Sequence, residues 1–329
     1  MATPRLISGI QPTGKLHLGN YLGVLKHFVD LQNLSKYECF FFVADLHALT
    51  ENPDPKDLKN NTLDLSSYAL AMGIDPKKST MFLQSQIPPH EEFFWILNTL
   101  TPPGEAERMT QFKDKSKTQA KNLNLGLLNY PILMASDVLL YNAEFVPVGE
   151  DQLQHLELAR TLARKFNKKF GNTFKEPQPL LTNISRLMSL DDPSKKMSKS
   201  RPAGCLFLED GPDVIRTKIK RAVTDSGKEI VYEPKRKPAL ANLISIYSAL
   251  TAWPTKTVEA RFKKMGYAEF KGRLAELIVR HFEPIQKKKK ELAKDIDSVK
   301  RVLASGAKTA NEIANQKLLE VKKRIGLII

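Results

Sequence analysis

The sequence predicts an α/β chain: a doubly wound parallel sheet with an inserted connective segment, followed by a C-terminal helical domain. Three observations predict it. Short apolar runs of strand character alternate with helical patterns through about the first 200 residues, which implies crossovers between parallel strands. From Pro284 onward the apolar spacing is helical alone. The charge is also lopsided, with 24 Lys/Arg against 21 Asp/Glu in residues 1–204 and 27 against 15 in residues 205–329.

Taken in order, Arg5–Gly9 reads as a short strand entering a Gly/Pro loop, and a helix is expected from about Gly19 to Leu31. Cys39–Ala44 is a compact apolar run of the kind that forms a buried parallel strand. A loop at Asn52–Pro55 precedes a helical pattern over Lys56–Met72, and Ser79–Gln84 is again strand-like. Prolines punctuate Ile87–Pro103, and Arg108–Asn124 is polar and lysine-rich, so 88–128 reads as the insertion. Beyond Pro284, Leu292, Ile296, Val299 and Leu303 recur at helical spacing, as do Ala310, Ile313, Ala314, Leu318, Val321 and Ile325. Gly306 is the expected break between these two helices. The expected boundary falls between domains 1–204 and 205–329.

The 329 residues are 42% hydrophobic and 26% charged, with a net charge of +15, which excludes a disordered or fibrous chain. No apolar run approaches the ~18 residues of a membrane span, and no signal-peptide core precedes the first strand. Two cysteines make no disulfide framework. A cytoplasmic protein that meets no membrane is the expectation. The basic C-terminal part fits a polyanion partner or, equally on composition, lysines solvated on helix faces.

Two segments carry chemistry. Gly9-Ile10-Gln11-Pro12-Thr13-Gly14-Lys15-Leu16 nearly spells a phosphate-binding P-loop, but Leu16 stands where a Mg²⁺-binding hydroxyl is needed, so that reading fails. Just beyond, His17 and Asn20 lie three apart at a helix start, where both can face a ligand. Gly19 between them removes a side chain where a base or ribose would approach. The second segment, Lys195-Lys196-Met197-Ser198-Lys199-Ser200, gathers several donors and no acid, which suits a polyphosphate clamp. No spacing of the six histidines and two cysteines suggests a structural metal site.

The strings His-Leu-Gly-Asn and Lys-Met-Ser-Lys-Ser, in this order, resemble the two signatures of the class I aminoacyl-tRNA synthetases. Gly9–Gly23, Arg108–Lys113, Val146–Gln152 and Ala222–Ser226 narrow the resemblance to the tryptophanyl branch of that family. The sister tyrosyl branch usually carries a Gly-Gly-x-Asp-Gln string, which is absent here. The resemblance implies a Rossmann-like catalytic domain over 1–204 and a basic helical domain over 205–329 that reads the tRNA(Trp) anticodon. It also implies a homodimer formed through the insertion, with Phe93–Leu97 suited to the contact. ATP is the expected co-substrate, with Mg²⁺ held by nucleotide oxygens and water, and L-tryptophan the amino acid.

By position, the resemblance assigns His17, Asn20, Lys196, Ser198 and Lys199 to catalysis. It assigns Gln11, Pro12, Thr13, Gly19, Asn20, Gly149, Glu150, Asp151, Leu187, Lys196, Met197, Ser198, Lys199 and Ser200 to ATP, and Lys115 to pyrophosphate. Asp137 falls at the position that reads the indole N–H. A carboxylate can accept that hydrogen, whereas phenylalanine offers none; the competing expectation is an Asp on the solvent side of its helix. Tyr130 and Gln152 match positions holding the ammonium group, and Ile7, Met134, Val138, Val146 and Val148 would form apolar walls. His47 matches a pocket residue, with a core or capping role as the competitor. His27, His90, His155 and His281 receive no role. Arg201 departs from the family, whose members often have Asp directly after the Lys/Ser string. The rival expectations are a tyrosyl enzyme on the same scaffold and a non-catalytic nucleic-acid-binding protein.

Overall fold

The protein is described by a computed structural model over residues 3–113, 123–181 and 187–329. The described chain separates into two compact units, one of Met1–Gly14, Phe28–Thr182 and Asp295–Ile329, the other of Lys15–His27 and Asn183–Lys294. These units do not follow the boundary expected at 204/205.

The first unit is built on five strands: β1 (Arg5–Ile10), β2 (Glu38–Val43), β3 (Ser79–Leu83), β4 (Phe145–Val148) and β5 (Gln178–Leu181). All pairings are parallel, in the order β3-β2-β1-β4-β5. In β2 every residue from Cys39 to Val43 is buried, as a strand covered by helices on both faces requires. The helix Pro55–Met72 begins where the Asp54 carboxylate accepts from the backbone N–H groups of Lys56 and Asp57. It ends at Gly73, whose φ of 114° is left-handed. The insertion holds the helices Pro89–Asn98 and Pro103–Glu107. Within the first of these Phe93, Ile96 and Leu97 are buried, and Trp95 is 70% exposed.

The terminal helix Ile296–Ile325 belongs to this unit because it packs against the sheet. Its Ala307, Ala310, Ala314, Leu318 and Val321 join the main core cluster. Asn311 donates to the Gln86 carbonyl (2.8 Å), and Lys322 pairs with Glu92 (2.7 Å). Gly306 is not a break between helices. It lies inside this helix, where a Cβ would fall 1.9 Å from the carbonyl oxygen of Met81 in β3. The glycine is needed for close approach, and the actual break is at Asp295, whose side chain caps the helix by accepting from the backbone N–H of Ser298.

In the second unit, Tyr247, Phe262 and Phe270 pack ring on ring (centroids 4.9–6.0 Å) between the helices Pro238–Thr251, Thr255–Phe262 and Tyr267–Lys294. Gln286 donates to the carbonyls of Leu208 (2.7 Å) and Asp210 (3.0 Å), which ties the last of these helices to the segment after the Lys/Ser loop. The helix expected over 19–31 is an α turn at Leu18–Asn20, a π turn at Tyr21–Leu25 and an α-helix at Lys26–Asn33. No helix among the described residues is long and apolar enough to cross a membrane.

Candidate active site

In the second unit, residues 16–18 pair with 206–208. Leu18 N–H donates to the Leu206 carbonyl (2.8 Å) and Leu208 N–H to the Leu16 carbonyl (3.0 Å). This holds the His17 turn against the segment that leaves the Lys/Ser loop. His17 is 7% exposed and its backbone N–H donates to Asn20 Oδ1 (3.1 Å). The N–H of Gly19 donates to His17 Nδ1 (3.0 Å), so the ring hydrogen sits on Nε2. Burial, and then the charges of Lys199 and Lys196, lower the imidazole pKa from 6.5 to about 4. At neutral pH the ring is therefore an uncharged donor beside two cations. A Cβ at Gly19 would fall 2.8 Å from the His17 ring. The glycine leaves room for the His17 ring to lie back over its own turn.

The Lys/Ser loop is pinned from within. Ser189 N–H donates to the Lys195 carbonyl (2.8 Å) and Met197 N–H to the Leu187 carbonyl (3.0 Å). The Met197 side chain is buried as a plug, while Lys196 and Ser200 are exposed. Ser198 and Ser200 share a hydroxyl contact (2.9 Å). Arg201 lies 3.6 Å from Asp191 and 3.5 Å from Asp192, so the unusual residue ties the end of the loop to its start.

In the first unit, the strand order reverses between β1 and β4, and ligands of such sheets bind beyond the carboxyl ends of the strands at that point. Gln11, Pro12 and Thr13 follow β1, and Gly149, Glu150 and Asp151 follow β4. A Cβ at Gly149 would meet Asp151 Oδ1 at 2.7 Å.

Asp137 sits in the helix Leu125–Leu139 and points inward, 1% exposed. The solvent-side alternative does not hold. Gln84 Nε2 donates to both carboxylate oxygens (2.8 and 3.0 Å), and His47 Nε2 lies 2.8 Å from Oδ2. His90 Nδ1 lies 3.0 Å from Oδ1, off the line of a well-directed hydrogen bond, with its Nε2 2.9 Å from the Tyr141 hydroxyl. Burial by itself would raise the Asp137 pKa. The hydrogen bonds and fields of His47 and His90 outweigh it and hold the group below the usual carboxylate range. The backbone N–H of His47 donates to Gln84 Oε1 (3.3 Å), which fixes the amide orientation.

Tyr130 shares a contact with His155 Nε2 (3.0 Å), and His155 Nδ1 lies 2.9 Å from Gln152 Oε1. Burial, then the charge of Asp151, pushes the Tyr130 hydroxyl well above its ordinary pKa. Ile7, Val138, Val146 and Val148 are buried in the core cluster, with Met134 partly buried at its margin. Lys115 lies outside the described residues.

Sequence reasoning missed Gln84, His90 and His155. Gln84 is the first residue past the carboxyl end of β3, a position that carries function in such sheets. His155 follows Gln152 by three, a spacing that places neighbours on one helix face. His90 had no local signal. Its role depends on a helix 47 residues further along the chain.

A family model described as tRNA synthetases class I (W and Y) matches residues 2–283. The chain is 48% identical to a tryptophan–tRNA ligase of Helicobacter pylori, covering 100% of both proteins. It is 47% identical to another from Caldanaerobacter subterraneus, covering 99% of each. Among solved structures it resembles the tryptophanyl-tRNA synthetase of Mycoplasma pneumoniae (TM-score 0.89, 38% identity, 99% of each chain). It also resembles that of Campylobacter jejuni complexed with ADP and tryptophan (TM-score 0.82, 36% identity, 98% of this chain and 100% of that one).

Proposed function

We propose, for a chain that belongs to the tryptophanyl branch of the class I tRNA synthetases, that its first unit reads the amino acid and its second supplies the groups that act on the ATP phosphates. The protein ligates L-tryptophan to its tRNA in two steps, ATP-dependent formation of tryptophanyl-adenylate with release of pyrophosphate, then transfer to the terminal ribose of tRNA.

The carboxylate that attacks the α-phosphorus is already an anion at neutral pH, its pKa being about 3.5. The first step therefore needs no base. It needs an in-line position and positive charge around the departing pyrophosphate. Lys196 and Lys199 supply the charge, and Ser198, His17 Nε2–H and Asn20 supply neutral donors. Gln11–Thr13 and Gly19 approach the nucleotide. Met197, Leu187 and Ser200 shape the loop, and Glu150 and Asp151 accept from the ribose hydroxyls beside Gly149. Lys115 keeps its assignment to pyrophosphate. Among the described residues no group of three His, Cys, Asp or Glu could hold a metal. Mg²⁺ is accordingly assigned to the nucleotide oxygens, and no step is routed through it.

One observation carries the choice of amino acid: a carboxylate 1% exposed, facing three donor groups. A carboxylate accepts about four hydrogens. Gln84 and His47 fill three of these positions and the His90 contact is poorly directed, so the fourth is assigned to the indole N–H, with Ile7, Met134, Val138, Val146 and Val148 as apolar surroundings and His47 holding the acceptor in place. A site built around a required hydrogen bond rejects an analogue that lacks it by ~10⁴–10⁵. Tyr130 and Gln152 receive the ammonium group.

The second unit holds 27 Lys/Arg against 13 Asp/Glu, which fits phosphates of tRNA. Anticodon reading is proposed for its helical stretch up to Lys294, since the helix Ile296–Ile325 packs on the sheet instead. A homodimer using the exposed Trp95, and a cytoplasmic site where charged tRNA is consumed, complete the proposal. The test is pyrophosphate exchange into ATP with each amino acid added singly. Exchange with tryptophan alone is expected; exchange with tyrosine would move the assignment to the sister branch, and silence with every amino acid would end it.

A further inference from the structure

We infer that Gln286 is a positioning residue that sets the place of the His17 turn for the phosphate step. The inference rests on the assignment of His17 to the ATP phosphates.

Gln286 lies on the helix Tyr267–Lys294, next to the buried Ile285. Its Nε2 donates to the carbonyls of Leu208 (2.7 Å) and Asp210 (3.0 Å). A backbone carbonyl only accepts, and an amide nitrogen carries two hydrogens, so the pair of acceptors fixes which way the amide faces. The grip falls on a tight turn. Asp210 N–H donates to the Phe207 carbonyl (3.1 Å), and Phe207 N–H donates to Asp210 Oδ2 (2.9 Å). Lys218 also holds the Asp210 end, donating to its Oδ2 (2.7 Å) and to the Cys205 carbonyl (2.8 Å). Gln286 reaches the other end, at Leu208.

That end meets the proposed phosphate donor. Leu208 is 1% exposed, and its N–H donates to the Leu16 carbonyl while the Leu206 carbonyl accepts from Leu18 N–H. His17 itself faces Phe207 across an antiparallel bridge. The turn is thus fixed on both flanks of His17 by a segment that Gln286 anchors. The same helix meets the turn again just past Asn20, where the Tyr21 ring lies 5.3 Å from that of His281 and 6.2 Å from that of Phe282. Apolar contact of this kind sets separation but has little direction. Two directed hydrogen bonds set register. Gln286 supplies the register, and it acts on the reaction through His17 without touching a reactant.

The test uses the full-length protein and four forms: wild type, Gln286→Met, His17→Ala and the double variant, each with a melting curve. Pyrophosphate exchange is measured without tRNA, and active sites are counted by the burst of adenylate, so that loss of folded protein does not enter the rate per site. Gln286→Met keeps the side chain's length and loses its donor. It is expected to lower kcat per site by ~10-fold and to leave the KM for tryptophan within about twofold. His17→Ala is expected to cost ~10²-fold, and the double variant should be no more than about twofold slower than His17→Ala alone. Should Gln286→Met fail to fold, Gln286→Asn, a shorter amide that cannot reach both carbonyls, carries the same comparison. If the Gln286 variant keeps its rate per site, if its full loss adds to that of His17→Ala, or if the KM for tryptophan rises as much as kcat falls, the inference is overturned while the assignment of His17 stands. If His17→Ala leaves exchange intact, that assignment falls and the inference with it.

Discussion

The first unit holds 24 Lys/Arg against 23 Asp/Glu, while the second holds 27 against 13. Nearly the whole surplus of +15 thus belongs to one unit. The polar groups differ in kind as well as number. In the first unit they are buried and mutually paired: Asp137, Gln84, His90 and His155 are each at most 1% exposed. In the second, the Lys/Ser loop leaves Lys196 and Ser200 exposed around a buried Met197. A buried network is rigid and discriminates by hydrogen-bond count. An exposed cationic loop is adaptable and acts on charge that shifts during reaction. On the proposed assignment, one chain separates recognition from charge stabilisation.

Three experiments would break or sharpen that contrast. The largest effect is expected from salt. If the second unit neutralises about six tRNA phosphates, tRNA affinity should fall ~10³-fold between about 50 and about 200 mM salt, while tryptophan affinity, measured alongside, barely moves. A flat tRNA response would return those lysines to solvated helix faces. Next, Lys199→Ala should slow pyrophosphate exchange by ~10²-fold with the dissociation constant of tryptophan unchanged. Loss of tryptophan affinity with turnover intact would erase the division of labour. The smallest effect tests the packing that places the terminal helix in the first unit. Helix propensity alone says Gly306→Ala should stabilise by about 1 kcal/mol. The collision with the Met81 carbonyl says it should destabilise by ~1–3 kcal/mol, read as a lower urea midpoint. A raised midpoint would mean the helix does not press on β3.

Much of this was legible in the sequence because local pattern and local chemistry coincided. The strands at Arg5, Cys39 and Ser79 follow from apolar runs, and His17, Asn20 and the Lys/Ser loop from compact strings. Gly306 misled because a glycine inside a helical pattern reads as a break, whereas here it answers to a strand more than 200 residues away. Arg201 left the loop's contacts open, and two aspartates ten and nine positions earlier turn out to face it.

The order of elements and the basic surplus were determined by the sequence alone, because each depends on residues near one another in the chain or on a simple sum of charge. Whether Asp137 faced water or the core, which nitrogen of His17 carries its hydrogen, and that His90 meets Asp137 and His155 meets Tyr130 were decided only by the tertiary structure. A polar side chain's protonation and direction are set by the partners that surround it, and those partners come from distant turns and helices that only folding brings within three ångströms.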